Sequence, residues 1–593
     1  GFISTNTILY SNNSRRNLWL RKLAYRLKQA KNDSEKAELL YWFGPPQNRK
    51  EAKFLLYYLL YPHGLVQACV IENLGKTSDN SARSLLRSLL SSKKEKVLLQ
   101  ALKIMQKLKD RKALPKLWKL LKVKKSNILM AVLDCLATMP HKKSIKLCIQ
   151  LLKERKLPLQ VKKRILFALF QMTGYAFETV WDWEKFWKLY GKTMNIGKVY
   201  DPCEGKRKTK EGFGKTVLKP QGYNQRFGTA KQALLKKYGG SRSSEQAVYF
   251  GLDWLKRHQD KDGKWSTAKF DVHCKGFRCK GFGKGNHDVA LTGLALLAYL
   301  GAGHTHLRGP FKNTVKKGLF WLKKKQKKDG SFFNNMYDHG IATFAIAEAY
   351  ILTQECWLRK ILQKGVDFIC KAQTKDSGWR YRPHALDADI SVSGWQIMAL
   401  DSARKSPEIH VPLKNLIWAA KFLDNLKDIN NKGNFTGLTR YHLDSPQKVK
   451  EQNPTNPNKK PKPTGGSLAT SAVGVYCRHL LGEPMDSSII EKGIQYFAPK
   501  TPKKLYSNHP QFKAQNRYFW YYAFLALFQK GGMWWKKWNH ILPPLLIKDQ
   551  QKQGCAKGSF PPDLHWGHVG GRVYSTAISV LTLEVYYRYK KHN

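Results

Sequence analysis

The C-terminal part of the chain alternates two kinds of helical pattern six times, from residue 244 to the end of the sequence. In the first kind, apolar residues recur at three- and four-residue spacing, which predicts amphipathic helices with one buried face. In the second kind, Ala, Gly, Ser and Leu dominate, as expected of crowded helices covered on several sides. The pattern therefore predicts six pairs of one outer and one inner helix, the number that closes into a ring.

The two predicted series of helices alternate along the chain. The outer helices cover residues 244–259, 311–326, 356–373, 410–426, 487–498 and 534–551. The inner helices cover residues 288–300, 338–352, 389–403, 467–481, 515–530 and 573–589.

A short motif of Gln, Asp, Gly and an aromatic residue recurs in the turns inside the pairs. It reads Gln259 to Trp265, Gln326 to Phe332 and Gln373 to Trp379, more weakly Lys427 to Phe435 and Gln553 to Phe560, and is missing from the fifth pair. We expect Gly263, Gly330 and Gly378 to take the positive φ that ends a helix. The aromatic residue is expected to pack between neighbouring pairs.

These corners resemble the prenyltransferase/squalene-oxidase repeat, and the resemblance covers about residues 244–593. It implies an (α/α)6 toroid in which the inner helices surround a central cavity. The prediction is thus an all-α toroid at 239–593, with a Pro/Lys-rich surface loop at 443–466. Fold and chemistry separate easily, so the function needs its own argument.

The N-terminal third carries a second repeat. Residues 101–121 align with residues 132–152 as helix-turn-helix units, and a third unit starts at 165. Such units are typical of α-solenoids, and their register resembles HEAT repeats; an irregular helical bundle is the alternative. With a Trp-rich cap at 181–187, we predict a HEAT-like α-solenoid at 1–197 and a linker at 198–238 that wraps one domain onto the other.

Basic residues far outnumber acidic ones: 105 Lys and Arg stand against 42 Asp and Glu, a formal net charge of +63 in 593 residues. Such a chain attracts polyanions through a field that salt weakens, so nucleic acid, an anionic membrane surface and acidic protein are candidate partners. No DNA- or RNA-reading motif is recognisable and the lysines are spread over most helices, which favours only non-specific nucleic-acid contacts. Single lysine runs are typical of solvated faces.

Acidic proteins fit the pattern better as partners. Extended repeat surfaces with aromatics beside lysines, as at 521–522, 534–538 and 586–587, are typical of interfaces, although most such aromatics also fit a core. For residues 519–524 we predict core packing. The function predicted is a non-catalytic scaffold that holds acidic proteins in a larger assembly, closed or filamentous. The alternatives are an enzyme that acts on an isoprenoid and a non-specific nucleic-acid-binding protein.

Two catalytic motifs of the resembling families are incomplete here. In class II cyclases an Asp-x-Asp-Asp segment protonates the isoprenoid; the resemblance places Asp387 and Asp389 in it, but Ile390 replaces the further acid. In zinc-dependent protein prenyltransferases Asp-x-Cys begins this helix, whereas Ser391 stands at the thiol position. We therefore expect no enzyme activity and no cofactor, and we predict that Asp389 caps its helix.

Four residues before the first inner helix are weak candidates for a zinc site: His273, Cys274, Cys279 and His287. Their residue types are zinc ligands, and their spacing is close to accepted patterns without matching one. The alternative is a loop with two thiols or a local disulfide, in which Asp288 and Asp338 cap helices.

A ligand cavity, if the ring has one, should lie where the N-termini of the inner helices converge, because aligned helix dipoles favour an anionic group there. The cavity candidates at those ends are His287, Asp288, Asp338, His339, Asp387, Asp389, Arg517, Tyr518, His568, Arg572 and Tyr574.

Cysteine usage and hydropathy add little. Ten cysteines without dense spacing predict free structural thiols, and no apolar run is long enough to span a bilayer, so we expect a protein that is not integral to a membrane. The chain starts at Gly1 rather than Met, which indicates a removed presequence, a tag or a truncation; we expect export to a non-cytosolic bacterial compartment, and the cytoplasm is the alternative.

Overall fold

A computed structural model describes residues 13–154, 156–201, 203, 223–332, 335–443, 463–502, 516–562, 566–589 and 591. The chain divides into two compact units, Gly1–Leu218 and Lys219–Asn593. Helices dominate both units, and the strands of the described residues form two small pairs in the second unit. The predicted all-α class is confirmed.

The first unit is a row of paired helices. In chain order they are Asn13–Gln29 (α1), Asp33–Phe43 (α2), Arg49–Tyr57 (α3), Gly64–Leu74 (α4), Asn80–Ser88 (α5), Glu95–Leu108 (α6), Leu114–Leu120 (α7), Ser126–Ala137 (α8), Lys142–Leu152 (α9), Leu159–Thr173 (α10) and Val180–Tyr190 (α11). The helices α2, α4, α6, α8 and α10 pack on one another in that order. Such nearest-neighbour stacking is the mark of a solenoid rather than of an irregular bundle.

Side-chain caps and one aromatic cluster shape this unit. Asn32, Asn48 and Asp79 each accept a hydrogen bond from the backbone N–H three residues later, a contact worth about 1 kcal/mol to a helix. The predicted Trp-rich cap is α11, which packs on α9 and buries Trp183 completely, whereas Trp181 is exposed.

The second unit contains fourteen helices and four strands among its described residues. The helices are Gly228–Tyr238 (α12), Arg242–Arg257 (α13), Asp288–Gly301 (α14), Lys312–Lys325 (α15), Met336–Thr353 (α16), Cys356–Lys371 (α17), Ile390–Ala403 (α18), Leu413–Asn425 (α19), Leu468–Leu480 (α20), Ser488–Phe497 (α21), Arg517–Lys530 (α22), Gly532–Asp549 (α23), Gly567–Leu583 (α24) and Val585–Arg588 (α25). The strands are Lys427–Ile429 (β1), Phe435–Thr439 (β2), His442–Leu443 (β3) and Pro463–Thr464 (β4), paired antiparallel as β1 with β2 and β3 with β4.

The even-numbered helices from α14 to α24 form a closed inner ring. Each packs on the next, and α24 packs back on α14. The odd-numbered helices from α13 to α23 lie outside them. All residues of α18 are buried, as in other inner helices, because neighbours cover every side. The predicted (α/α)6 toroid is confirmed, with helix bounds within three residues except in the last inner helix, which begins at Gly567 and kinks at Gly571.

Part of the segment predicted as a linker folds with the second unit. Asn224–Arg226 forms a 3-10 turn, and α12 packs on α25. Helix α12 buries none of its residues, so regular apolar spacing is not required of it, and no periodic pattern marks it in the sequence. Residue 202 and residues 204–222 lie outside the described residues, as do residues 444–462 of the predicted Pro/Lys-rich loop.

A Gln side chain links each well-formed corner to the next outer helix. Its Nε2 donates one hydrogen bond to a carbonyl of its own corner, at 2.7–3.1 Å, and another to a carbonyl of the neighbouring outer helix, at 2.8–3.0 Å. The Gln residues, each with its outer-helix acceptor, are Gln259 with Thr314, Gln326 with Ile361, Gln373 with Asn415 and Gln550 with Ala247. The last pair joins the sixth corner to α13 and completes the ring. Gln550, not the predicted Gln553, fills this position.

Glycine positions in the corners differ from the prediction in two repeats. Gly263 and Gly330 have positive φ as predicted. In the third corner, however, Ser377 takes the positive φ of 72° and Gly378 does not. Ser377 lies four positions after Gln373, as Gly263 lies four positions after Gln259. The distance from Gln along the chain therefore determines which corner residue takes the positive φ, and the assignment of Gly378 was wrong.

The fourth corner contains an insertion that the sequence concealed. Strands β1 and β2 form a hairpin there, and Gly433 lies at its tip with no atom within 4 Å of an added Cβ. The glycine that meets the next outer helix is Gly437, with φ of 94° and an added Cβ only 2.4 Å from the Lys492 carbonyl oxygen. Assignment of Gly433 and Phe435 to the corner was therefore wrong.

No described helix combines the length and the mean hydropathy that a membrane span requires.

Candidate functional site

His339 belongs to the framework of the repeat rather than to a cavity. It is fully buried, its Nδ1 accepts the Phe332 backbone N–H at 3.2 Å, and its Nε2 contacts the Gly365 carbonyl oxygen at 3.0 Å. Burial lowers the pKa of His339 to about 4, so the ring is neutral. Side chains of Thr292, Ser393 and Thr576 accept the equivalent corner N–H in other repeats. The predicted cavity role of His339 was wrong.

Asp338 and His287 form a pair between the first two inner helices. Asp338 is fully buried; its Oδ2 lies 3.1 Å from His287 Nδ1, and its Oδ1 accepts the Ala290 N–H at 3.1 Å. The hydrogen bond from Asp338 raises the pKa of His287 above its ordinary value, against the opposing effect of burial. Asp338 thus caps the neighbouring helix α14, not its own helix, whose N-cap is Asn335.

Asp288 is likewise held by local contacts. Its carboxylate accepts bonds from the Thr267 backbone N–H at 2.8 Å and from Lys264 Nζ at 3.0 Å. The N-cap of α14 is His287, so the predicted capping role of Asp288 was wrong. The residue ties the first corner to α14 instead.

Three further candidates lie on the last two inner helices. Arg517 binds Asp549 and donates to Ser579 Oγ at 3.1 Å, which joins α22, α23 and α24. Arg572 donates to the Lys280 carbonyl oxygen at 2.6 Å and to Ser559 Oγ at 3.0 Å. His568 is exposed at the start of α24.

One carboxylate lies among aromatic hydroxyls, in what we term the acid–tyrosine cluster: Asp389, Arg380, Tyr381, Tyr441 and Tyr518. Asp389 is fully buried and is the N-cap of α18, as predicted, with the Val392 N–H 2.9 Å from Oδ1. Its Oδ2 lies 3.2 Å from Arg380 Nη1. Burial raises the pKa of Asp389, although its hydrogen bonds and Arg380 act against the rise.

Aromatic side chains complete this cluster. The hydroxyls of Tyr381 and Tyr441 lie 2.8 Å apart, and the Arg380 guanidinium lies 5.3 Å and 5.8 Å from their ring centroids. Tyr518 donates to the Ser391 carbonyl oxygen at 3.4 Å, and its ring lies 6.3 Å from that of Trp566. Asp387, half-buried, is 3.7 Å from Arg380 Nε. Tyr574 is largely buried in α24.

Four side chains from distant parts of the second unit meet in the thiol–imidazole cluster: His258, Cys274, Cys279 and Cys555. Their ligand atoms all lie within 4.8 Å of one another. Two predicted candidates are members, and two are not: His273 pairs with Asp260 and His287 with Asp338. Burial lowers the pKa of His258 to about 4, so its imidazole is neutral.

His258 and Cys555 were missed because sequence spacing says nothing about their approach. They lie 297 positions apart, at the end of α13 and in the sixth corner. Ring closure brings the first and sixth corners together. A signal was present: the predicted six-pair ring already implied that the last corner would lie beside the first.

A basic groove of about 960 Å³ lies between the end of α12, helix α23 and Lys591. Its charged side chains are Lys237, Lys536, Lys548, Lys552 and Lys591, and its described lining includes no acidic residue. Lys237 Nζ and Lys591 Nζ lie 5.2 Å and 5.7 Å from the ring centroid of Tyr238. Burial and the neighbouring charge of Lys237 lower the pKa of Lys591.

The predicted interface aromatics beside the lysines are mostly core. Trp535, Trp538, Tyr521, Tyr522, Tyr586 and Tyr587 are buried, and Trp534 is half-buried. The prediction of core packing for 519–524 is confirmed.

Two known families match parts of the sequence. Residues 52–133 match HEAT repeats, and residues 220–356 match the squalene-hopene cyclase C-terminal domain, which confirms both resemblances. No curated protein matches the chain significantly.

Similar solved structures include three enzymes. An alpha-1,6-mannanase of glycoside hydrolase family 76 from Salegentibacter sp. HEL1_6 has a TM-score of 0.41 and 12% identity, with 58% of this chain and 98% of that chain covered. An unsaturated glucuronyl hydrolase specific for heparin has a TM-score of 0.41 and 15% sequence identity. The match covers 59% of this chain and 97% of that chain. The type II terpene cyclase MstE from Scytonema, bound to geranylgeranyl dihydroxybenzoate, has a TM-score of 0.38 and 10% sequence identity. The match covers 58% of this chain and 97% of that chain.

The prediction that the chain is not an enzyme was wrong as drawn: it rested on two incomplete motifs, and the solved structures that share this fold include enzymes. At identities of 10–15% these likenesses concern the fold and transfer no activity or substrate to this chain.

Proposed function

We propose that this protein binds an acidic partner protein in the basic groove of its ring unit and acts as a subunit of a larger assembly. The observation that carries the proposal is the set of five lysines in one groove whose described lining contains no carboxylate. Because like charges repel at this spacing, a partner that brings carboxylates relieves the repulsion on binding.

The uncharged lining favours a protein over a nucleic acid as the occupant. Beside the lysines lie Trp535, Pro543, Pro544 and Ile547, and an adjoining shallow pocket includes Met533 and Ile541. Met533 is 68% exposed. Apolar and aromatic side chains beside cationic ones suit a peptide with both acidic and apolar residues. A phosphate backbone would need mainly cations and hydrogen-bond donors.

Binding of a labelled peptide of alternating Glu and Leu, measured by fluorescence anisotropy, tests the proposal. We expect the double variant K536E/K548E to weaken binding about tenfold or more, because two attractive charges become repulsive. The matched control is K317E/K324E, which makes the same charge change at exposed lysines of α15.

Three results would overturn this function: no binding by the wild type, an equal loss in the two double variants, or full competition by a DNA oligonucleotide regardless of variant. The last result would establish the non-specific nucleic-acid alternative instead.

A second candidate function is acid-dependent conversion of an isoprenoid at the acid–tyrosine cluster. It is favoured by the buried Asp389, whose raised pKa suits a proton donor, and by the tyrosines beside it. Aromatic rings can stabilise a carbocation by cation–π attraction. Incubation with a labelled linear isoprenoid, followed by product analysis, tests it. D389N should abolish conversion while keeping the helix cap, since Asn caps as well as Asp, and D367N, at an exposed position of α17, is the control. Absence of product with the wild type would refute it.

A further inference from the structure

We propose that His258, Cys274, Cys279 and Cys555 bind a structural Zn²⁺ ion that closes the ring. Three thiols and one imidazole form one of the ligand sets of tetrahedral structural zinc sites. This set differs from the one predicted from the sequence, since it shares only Cys274 and Cys279 with it.

The distances fit such a site. His258 Nε2 lies 3.4 Å from Cys274 Sγ, 3.7 Å from Cys279 Sγ and 3.5 Å from Cys555 Sγ. A tetrahedral zinc ion with bonds of about 2.3 Å to sulfur and about 2.0–2.1 Å to nitrogen places these atoms about 3.6 Å apart. The three distances from Nε2 match those of a tetrahedral site, and all four ligand atoms lie within 4.8 Å of one another.

The contacts around the cluster orient its ligands. His258 Nδ1 lies 2.9 Å from the Trp254 carbonyl oxygen, to which it donates, so the lone pair of Nε2 faces the three sulfurs. The Cys279 backbone N–H donates to Cys274 Sγ at 3.2 Å, a bond that favours the thiolate. Stacking of His258 on Trp254, with centroids 4.2 Å apart, fixes the plane of the imidazole.

Charge is balanced by nearby arginines. Zinc binding releases the three thiol protons to solvent and leaves a site with a net charge of about −1. Arg257 donates to the carbonyl oxygens of Cys555 and Lys557, at 2.9 Å and 2.7 Å, and so also positions the sixth corner. Arg572 binds the Lys280 carbonyl oxygen beside Cys279. Two guanidinium groups therefore contact the loops that carry the thiolates.

The site joins the first repeat of the ring to the last. His258 ends α13, Cys274 and Cys279 lie before α14, and Cys555 lies in the sixth corner, 297 residues after His258. A metal that links the first and last repeats closes a very long loop, and its binding free energy adds to the stability of the folded ring. Zinc would thus act as a staple of the toroid, independent of the basic groove.

Metal analysis of the full chain, purified without chelators or a His tag from zinc-supplemented medium, is the first test. We expect about one equivalent of zinc per chain, lost in C555S and retained in C370S, which replaces a cysteine outside the cluster. Removal of zinc by a chelator should lower the thermal midpoint of the wild type and leave that of C555S unchanged.

Replacement by Co²⁺ tests the ligand set without any variant, so it holds even if C555S does not fold. Tetrahedral thiolate coordination gives intense visible bands and thiolate-to-cobalt charge transfer, and a site of oxygen and nitrogen ligands does not. Substoichiometric zinc in wild-type protein, weak cobalt bands, or a Cys274–Cys279 disulfide in the fully stable protein would each overturn the assignment.

Discussion

The Arg226 guanidinium and the Glu348 carboxylate form a bidentate ion pair inside the ring, with Nη1–Oε2 and Nη2–Oε1 distances of 2.8 Å and 3.2 Å. Both side chains have no exposed surface. Arg226 also donates to the carbonyl oxygens of Leu300 and Arg588, and Arg588 lies 3.5 Å from Glu348. The segment before α12 therefore anchors the toroid at the C-terminal ends of α14 and α16.

Glu348→Gln should destabilise the ring unit by about 2–4 kcal/mol, because it leaves the buried Arg226 guanidinium without its carboxylate partner. Chemical unfolding measures the loss, and Glu491→Gln is the control. Glu491 pairs with Lys530 at the surface and is 40% exposed, so its loss should stay below about 1 kcal/mol.

The same comparison has a pH dependence. Burial alone would raise the pKa of Glu348, but Arg226 and Arg588 outweigh it and hold the pKa below its ordinary value. The stabilisation is then complete above the unfolded pKa of about 4.3 and is lost as pH falls through the folded pKa. The difference in unfolding free energy between wild type and E348Q should shrink on acidification; a constant difference would contradict the ion-pair account.

Gly330→Ala should destabilise far more than Gly433→Ala. Both glycines have positive φ, 95° and 75°, so both substitutions incur the left-handed cost of about 1–2 kcal/mol. Only at Gly330 would the new Cβ lie 2.3 Å from a backbone oxygen, that of Lys364. Thermal unfolding should show a shift for G330A at least about twice that for G433A. Equal shifts would mean that corner and outer helix are not in close contact.

Gln550→Leu should cost as much as Gln326→Leu, on the order of 2–4 kcal/mol, because each removes two hydrogen bonds and leaves two carbonyls without a donor. In a closed ring the sixth corner is not an end. If the sixth corner were a frayed end, Q550L would lower the unfolding free energy much less than Q326L. Denaturant unfolding of the two variants therefore distinguishes a closed ring from an open one.

His287→Gln should reduce stability more at pH 5.5 than at pH 8.5. The bond to Asp338 raises the pKa of His287, so its stabilisation is complete below the unfolded pKa of about 6.5 and is lost as pH rises through the folded pKa. Unfolding free energies of the wild type and the variant across this range check the sign. A difference that grows with pH would show that His287 is not held in its protonated form.

Local pattern predicted most helices well, and its errors share a cause. Helix bounds followed from apolar spacing, and the cap at Asp389 followed from residue type and position. Gly378 and Gly433 were assigned to the corner because each lies next to an aromatic residue in a motif-like stretch. The residue that needs a positive φ is instead the one whose backbone contacts the next outer helix, as Gly437 does. His339 was taken for a cavity residue because nothing in a single helix shows that its Nδ1 meets the preceding corner.

The sequence by itself determined the repeat: six helix pairs, their corners, a solenoid before them and a strong excess of positive charge, since periodicity, glycine placement and charge are all local properties of a chain. Only the tertiary structure decided which side chains meet. Ring closure brings Cys555 to His258, and the buried end of the ring brings Arg226 to Glu348. Contacts between residues that distant depend on how the whole ring closes, which no local pattern encodes.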